Sequence, residues 1–348
     1  MKKTLHKIIP SNFNNLLGLA GKLLVAKNAA GRAAMWYSLL GLLLIPLDAI
    51  LGYFERKLYL KDKPKHPLIL VCGPPRSGTT LVAQVLMKHL PVYYFNNLTS
   101  IFPNAPITAN KLFGWLVGKD KKNISFKSLY GRTAKLGAPN DALYLWDRWT
   151  DVDRATIPKS ISPEKQQKMQ SFFYAVEQFS ALPLVNKNNA LNTYANLVAP
   201  VLDTAYFICL DRNPVFLAQS QLIASDFIHG NDNIPYGVHF NGKETKHEAL
   251  SRDAVAQVCE QVKRHHEMMQ KQQREIGSKR FIIVPYEDFC KDPAKWVCKI
   301  AGEVLHQPMD PEELRKVLPP FKISNKIRLD KEVFQKIEHS LHSLKYSK

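Results

Sequence analysis

Val71 to Thr80 reads VCGPPRSGTT, and its residue types suit one task, holding a cluster of anionic oxygens. Gly73 and Gly78 stand five apart, as in the phosphate-cradling pattern G-x-x-x-x-G-K-[ST], and Thr80 ends the motif with a hydroxyl. Thr79 occupies the lysine position, while a positive charge stands inside the loop as Arg76. Backbone N–H groups of such a turn, with the N-terminus of the following helix, hold an anion without any lysine. Nucleotide hydrolysis is different, because there the lysine supports the β- and γ-phosphates and the hydroxyl holds Mg²⁺. The missing lysine, with no convincing acidic strand end for magnesium, argues against ATP cleavage. A glycine turn that binds nothing is the competing structural reading, but Arg76, Ser77, Thr79 and Thr80 equip the loop too well for it.

A second group lies in DRNPVFLAQSQ, where Arg212 and Ser220 stand eight apart. Arg212 ends an apolar run and Ser220 falls about two turns into the helix that follows. A guanidinium fork suits a phosphate, and a hydroxyl completes its coordination. Together with GPPRSGTTL, this pattern resembles the sulfotransferases that use 3′-phosphoadenylylsulfate (PAPS), and the loop is closer to the tyrosylprotein and bacterial PRSGTT type than to the cytosolic type. The resemblance covers roughly Leu68 to Leu305, in the family's order. It implies that Pro75, Arg76, Ser77, Gly78, Thr79 and Thr80 bind the 5′-phosphosulfate, and that Arg212 and Ser220 grip the 3′-phosphate. NKNN, Asn186 to Asn189, is similar to a family segment whose lysine approaches the transferring sulfonyl, which points to Lys187. VPYEDFCKDP is similar to a segment whose tyrosine lies near the adenine, here Tyr286. As structural alternatives, Lys187 is a solvated cap and Tyr286 a residue at the core's edge.

One departure matters. Tyrosylprotein-type members carry a glutamate base about twenty residues after the glycine loop, where this chain has Asn96 and Asn97. Amides do not act as bases. Asp141 in GAPNDALYLW is the first candidate to replace it, then His89 and Asp147, each with a structural alternative as N-cap, helix end or surface acid. The reaction the resemblance implies is sulfonyl transfer from PAPS to a hydroxyl or amine acceptor, leaving adenosine 3′,5′-bisphosphate, with no metal. The alternatives are a P-loop kinase or NTPase, and a membrane-associated nucleotide-binding protein without catalysis.

The elements that must position these residues are legible as short apolar runs. Leu68–Cys72, Ala205–Leu210 and Phe281–Pro285 read as buried strands, each followed by a helical pattern. The predicted helices start at the glycine loop, at Asn213–Pro214 and after YEDFCKDP, and others include Leu191–Val201 and Val255–Met269. Alternating strands and helices predict an α/β fold, a P-loop-type parallel sheet flanked by helices. Ligands bind such sheets at the strands' carboxyl edge. His265 and His266 are adjacent on one helix, so their rings diverge and no metal site is assigned. Phe227–Lys246, rich in Asn, Gly, His and Pro, reads as a long loop.

Residues 1–64 read as an apolar and basic helical segment, and 65–348 as the sulfotransferase-like domain, joined at KDKPKHP. Ala33–Phe54 has the length of a membrane span but is interrupted by Pro46 and Asp48. Three readings stay open: a hairpin dipping into one membrane face, helices packed on the soluble domain, or a true span. Basic residues on both sides give no orientation. Net charge is +18, which favours anionic ligands and membranes, but no basic run with interleaved aromatics appears, so nucleic acid is not expected. Five cysteines without a C-x-x-C read as reduced, mostly buried thiols. The expected partners are a hydroxylated acceptor, lipid or glycan among the classes, and peripheral membrane contact through residues 33–54. The expected location is cytoplasmic, at the membrane's cytoplasmic face if one is contacted.

Overall fold

The computed structural model describes residue 21 and residues 29–118, 121, 124–150, 156–230, 233, 236–238, 240 and 253–344. In chain order the helices are α1 (Ala29–Leu43), α2 (Ile45–Arg56), α3 (Thr79–His89), α4 (Asn97–Ile101), α5 (Pro106–Phe113), α6 (Leu143–Trp146) and α7 (Pro163–Ser180). They continue as α8 (Leu191–Val198), α9 (Pro214–His229), α10 (Ala254–Ile276), α11 (Tyr286–Lys291), α12 (Pro293–Leu305), α13 (Pro311–Val317) and α14 (Lys331–Ser343). The strands are β1 (Leu68–Cys72), β2 (Leu184–Lys187), β3 (Ala205–Asp211) and β4 (Phe281–Pro285).

The four strands form one parallel sheet in the order β2-β1-β3-β4. Every residue of β1 is buried, because side chains alternate across a strand and both faces of this sheet are covered. Leu68, Leu70 and Cys72 join the core under α7 and α8. Ile69 and Val71 join the core formed with α3 and α12. This is the α/β architecture expected from the alternating runs.

Some elements differ from the sequence reading. β2 was not legible as a strand: it has four residues, and its last two are Asn186 and Lys187, so the apolar run is only two long. It forms because it pairs in register with β1, Leu68 to Leu184 through Val71 to Lys187. α9 runs on to His229 and stops at Gly230, whose φ of 70° makes a left-handed C-cap. The first residues of the predicted 227–246 loop are therefore helical, and most of the remainder lies outside the described residues. Asp253 and Asn213 cap α10 and α9 by accepting from N–H groups of the first turn. His265 and His266 do diverge: His265 Nδ1 lies 3.1 Å from Asn192 Nδ2, and His266 Nδ1 lies 3.9 Å from Asp211 Oδ1. All five cysteines are free, four of them buried.

α1 and α2 are bent by 74° at a break between them, and no single helix among the described residues is long and apolar enough to cross a membrane. Their inner faces pack on α4, α5 and the adjoining turn. Asp48 does not interrupt an apolar face. It points inward and accepts from the backbone N–H and side-chain amide of Asn104. Glu55 likewise accepts from Thr108 N–H at 2.7 Å and Tyr59 Oη at 2.8 Å.

Candidate active site

The connection after β1 leads to β2 on one side, and the connection after β3 leads to β4 on the other. The carboxyl ends of β1 and β3 thus flank the crevice where parallel sheets bind ligands. Residues 73–78 fill its floor. Gly73 has φ of 140°, and a β-carbon there would lie 2.8 Å from the Leu210 carbonyl of β3. Gly78 has φ of 98°, and a β-carbon there would lie 2.4 Å from the Tyr286 ring. Both glycines are needed, the first by the neighbouring strand and the second by an aromatic floor. Arg76, at φ 76°, holds a left-handed conformation that is strained for a side-chain-bearing residue. Gln221 donates to the Pro75 carbonyl and fixes the loop from α9. The first N–H groups of α3 have no acceptor within the helix, and the helix dipole adds positive potential there. Ser77 Oγ is buried beside them with no hydrogen-bond partner among the described residues.

Two guanidinium groups meet over this loop. Arg212 Nη1 donates to the Arg76 carbonyl at 2.8 Å, and its Nη2 donates to the Ser324 carbonyl at 2.8 Å and Asn325 Oδ1 at 3.1 Å. Its plane lies over the Tyr286 ring, 5.0 Å from the centroid. Arg76 Nε donates to Ser220 Oγ at 3.3 Å, and its guanidinium lies 4.9 Å from the Tyr130 ring centroid. Arg212 and Ser220 are therefore joined through Arg76 rather than directly. Every acceptor recorded for the two arginines among the described residues is neutral, and Arg212 Nε is buried without one. Burial lowers the Arg212 pKa from its ordinary value, with Tyr286 and Glu287 opposing. A buried cation, Arg212, and a partly buried one, Arg76, whose direct partners are neutral form a site for an anion.

Beside this cleft stands a cation that does have a carboxylate. Lys187 ends β2 opposite Val71, and its Nζ lies 2.6 Å from Asp141 Oδ2 and 3.4 Å from Thr80 Oγ1. Lys187 is 8% exposed in its side chain, and Asp141 is 28% exposed. Burial pushes the Asp141 carboxyl above its ordinary value, against the pull of Lys187 and Arg132. The Asp141 backbone is held by Asn186 Nδ2, whose own Oδ1 accepts from the Trp146 indole at 2.9 Å. Gly131, at φ 87°, covers the group: a β-carbon there would lie 3.3 Å from both Asp141 Oδ2 and Lys187 Nζ. Leu129 and Arg132 exchange both backbone hydrogen bonds, so Tyr130 and Gly131, both at positive φ, form the tip of a two-residue hairpin turn.

The expected residues are not all in the cleft. His89 sits at the far end of α3, ten residues from Thr79 and so about 15 Å along the helix axis. Burial and the nearby Lys88 and Lys121 lower its pKa, and the geometry removes it from the site. Asp147 caps the C-terminus of α6 and lies near Tyr194. Thr79 Oγ1 donates to Asn189 Oδ1 at 3.0 Å, so only its backbone N–H is free to face an anion, and Thr80 is the hydroxyl that faces Lys187. Asn96 and Asn97, standing where an acid was expected, have structural work. Asn96 caps α4, and Asn97 Nδ2 donates to Thr133 and Lys135 while its Oδ1 accepts from Asn140. They anchor the segment that carries Asp141.

Sequence reasoning missed Tyr130, Gly131, Asn189, Ser324 and Asn325. For Tyr130–Gly131 the only signal was the glycine itself, since Tyr-Gly is not one of the usual two-residue turn pairs. Ser324 and Asn325 carried no signal, since their part in the cleft depends on a loop returning from the C-terminal region.

The family comparison places the chain. The sequence model of the Sulfotransferase family matches residues 67–304, more than half the chain and all four strands. A sulfotransferase from Mycobacterium avium, STF9, superposes with a TM-score of 0.50 at 13% identity, covering 81% of this chain and 77% of that one. Sulfotransferase STF1 from Mycobacterium tuberculosis gives 0.49 at 14% identity, covering 94% and 92%. A shorter sequence match, 38% identical over 84 residues, is to replication protein E1 of European elk papillomavirus; it spans 23% of this chain and only 14% of that protein. With the matched segment containing the glycine loop, Lys187, Arg212 and Tyr286, this chain belongs to the sulfotransferase family.

Proposed function

We propose that this sulfotransferase takes its sulfonyl group from PAPS and transfers it to a hydroxyl or amine acceptor. The observation that carries the reading is the convergence of Arg76 and Arg212 on one crevice, joined by a 2.8 Å hydrogen bond, with Lys187 beside them. PAPS is an adenosine with anionic groups at both its 3′ and 5′ positions, and the crevice offers cations with neutral partners for both. The loop N–H groups and Arg76 would receive the 5′-phosphosulfate. Arg212 and Ser220 would receive the 3′-phosphate, and Tyr286, packed between Gly78 and Arg212, would flank the adenine.

In the transfer, the bond from sulfur to the bridging phosphate oxygen breaks as the bond from sulfur to the acceptor oxygen or nitrogen forms. Lys187 would neutralise charge developing on the bridging oxygen and the sulfonyl oxygens. Doing so draws its ammonium away from Asp141. A carboxylate whose pKa burial already raises then accepts the acceptor's proton. The ion pair is thus a resting arrangement that donor binding opens. Five free cysteines suit a reducing compartment, which supports placing the proposed reaction on the cytoplasmic side.

The test is thermal stabilisation by adenosine 3′,5′-bisphosphate against ATP–Mg²⁺, followed by transfer from labelled PAPS to an acceptor panel. Stabilisation by the bisphosphate alone is expected, rising with its concentration. Equal stabilisation by ATP–Mg²⁺ would favour a kinase or NTPase, and stabilisation without transfer to any acceptor would favour a non-catalytic binding protein.

A further inference from the structure

Outside the crevice, the largest unexplained feature is the outer face of α1 and α2. Trp36, Leu39, Leu43, Ile50, Tyr53 and Phe54 all face solvent, with Trp36 65% and Leu43 75% exposed. Trp115, at 77%, and Leu116 extend the exposed apolar residues onto the turn after α5, which packs against α2. Apolar residues exposed in such number mark an interaction surface rather than ordinary surface scatter. The inner faces are tied down. Tyr37 Oη donates to the Ala134 carbonyl at 2.7 Å, and a β-carbon on Gly52 would lie 2.8 Å from Asn104 Cβ.

Charge selects the occupant. Between Ala29 and Lys61 the acidic residues are Asp48 and Glu55, and both are buried, at 2% and 0% exposure. The exposed charges of that stretch, Arg32, Arg56, Lys57 and Lys61, are all positive. Lys57 Nζ lies 4.6 Å from the Tyr53 ring centroid, at the rim where aromatic and basic side chains meet. Two copies of this face would bring like charges together, whereas anionic headgroups above a hydrocarbon layer complement both its apolar centre and its basic edge.

We infer that the outer face of α1 and α2, with Trp115 and Leu116, docks on an anionic lipid bilayer, lying in the interface without spanning it. Tyr37 donates to the Ala134 carbonyl, in the segment that leads to Asp141, so the docking helices are tied to the chain that carries the proposed base.

The experiment is sedimentation of the full chain with vesicles of phosphatidylcholine alone and with one-third phosphatidylglycerol, together with light scattering of the protein alone. Binding is expected to strengthen with the anionic lipid, by about five-fold per engaged cation, and to weaken with salt. The triple variant Trp36→Glu, Leu43→Glu, Trp115→Glu should lower the partition at least about ten-fold with little loss of Tm, since each side chain is mostly in water. The double variant Arg56→Glu, Lys57→Glu should abolish the preference for anionic vesicles, and it decides the matter if the triple variant fails to fold. Wild-type protein that does not bind the vesicles overturns the inference, as does binding indifferent to these changes. A dimer that the triple variant converts to monomer, with vesicle binding unchanged, assigns the face to a second copy instead.

Discussion

The two cationic ends of the crevice differ in one respect. Arg76 and Arg212 donate to carbonyl, amide and hydroxyl oxygens, while Lys187 is held by a carboxylate. A cation with neutral partners keeps its charge available, and its site waits for an anion from solution. A cation paired with a carboxylate has its charge cancelled until something draws it away. The first arrangement suits binding that persists from ground state to transition state. The second suits an interaction strengthened only as charge develops, which is the kind that raises turnover. Family membership rests on the whole matched segment, but this division of labour rests on these few distances, and substitutions can break it at either end.

The largest effect is expected for Asp141→Asn, which keeps the shape and removes the proposed base. Turnover should fall by about 10²- to 10⁴-fold, the range for a positioned general base. The pH profile carries the sharper signature. Protonation removes the base, so kcat/KM falls as pH drops through the Asp141 pKa, and burial places that limb above the ordinary carboxylate range. In the variant the limb should vanish; a variant that keeps it shows that another group titrates. Lys187→Ala comes next, with turnover lower by about 10²- to 10³-fold and binding of adenosine 3′,5′-bisphosphate, measured by calorimetry, little changed. Near-normal turnover would remove Lys187 from the transfer. Arg212→Ala should do the reverse, weakening binding of the bisphosphate on the order of 10- to 100-fold with a smaller effect on turnover at saturation. If Lys187→Ala and Arg212→Ala affect the same parameter, the distinction between the two ends is wrong.

How far the sequence carried depends on whether a residue's task is local. β1, β3 and β4 were legible because each is a short, mostly buried apolar run, and the glycine loop because Gly73 and Gly78 mark a turn by themselves. β2 was not, since what makes Leu184–Lys187 a strand is its register against β1. The same strand end delivers Lys187, so the lysine was reached only through family likeness. Asn96 and Asn97 read as a missing acid, yet the Asn97 amide ties down the segment bearing Asp141, a link of more than thirty residues that no local pattern encodes. His89 failed for the opposite reason: eleven helical residues carry it away from a loop it is close to in sequence. Asp48 looked like a flaw in an apolar run, and is buried because one helical face turns toward Asn104.

Gly131 allows the smallest and most discriminating test. It lies over the Lys187–Asp141 pair on the tip of a hairpin, and its φ of 87° costs a residue with a side chain about 1–2 kcal/mol. In Gly131→Ala the added methyl would sit 3.3 Å from Asp141 Oδ2 and Lys187 Nζ, tighter than ordinary contact, so the hairpin or the ion pair must give by a few tenths of an ångström. Nothing at the arginine end need move, because Arg76 meets the hairpin through the Tyr130 ring rather than through Gly131. The expected result is a modest loss of Tm and a several-fold fall in turnover, with affinity for adenosine 3′,5′-bisphosphate kept. Loss of that affinity instead would mean that the hairpin closes over the donor as a unit, and that the two ends of the crevice are coupled through Tyr130.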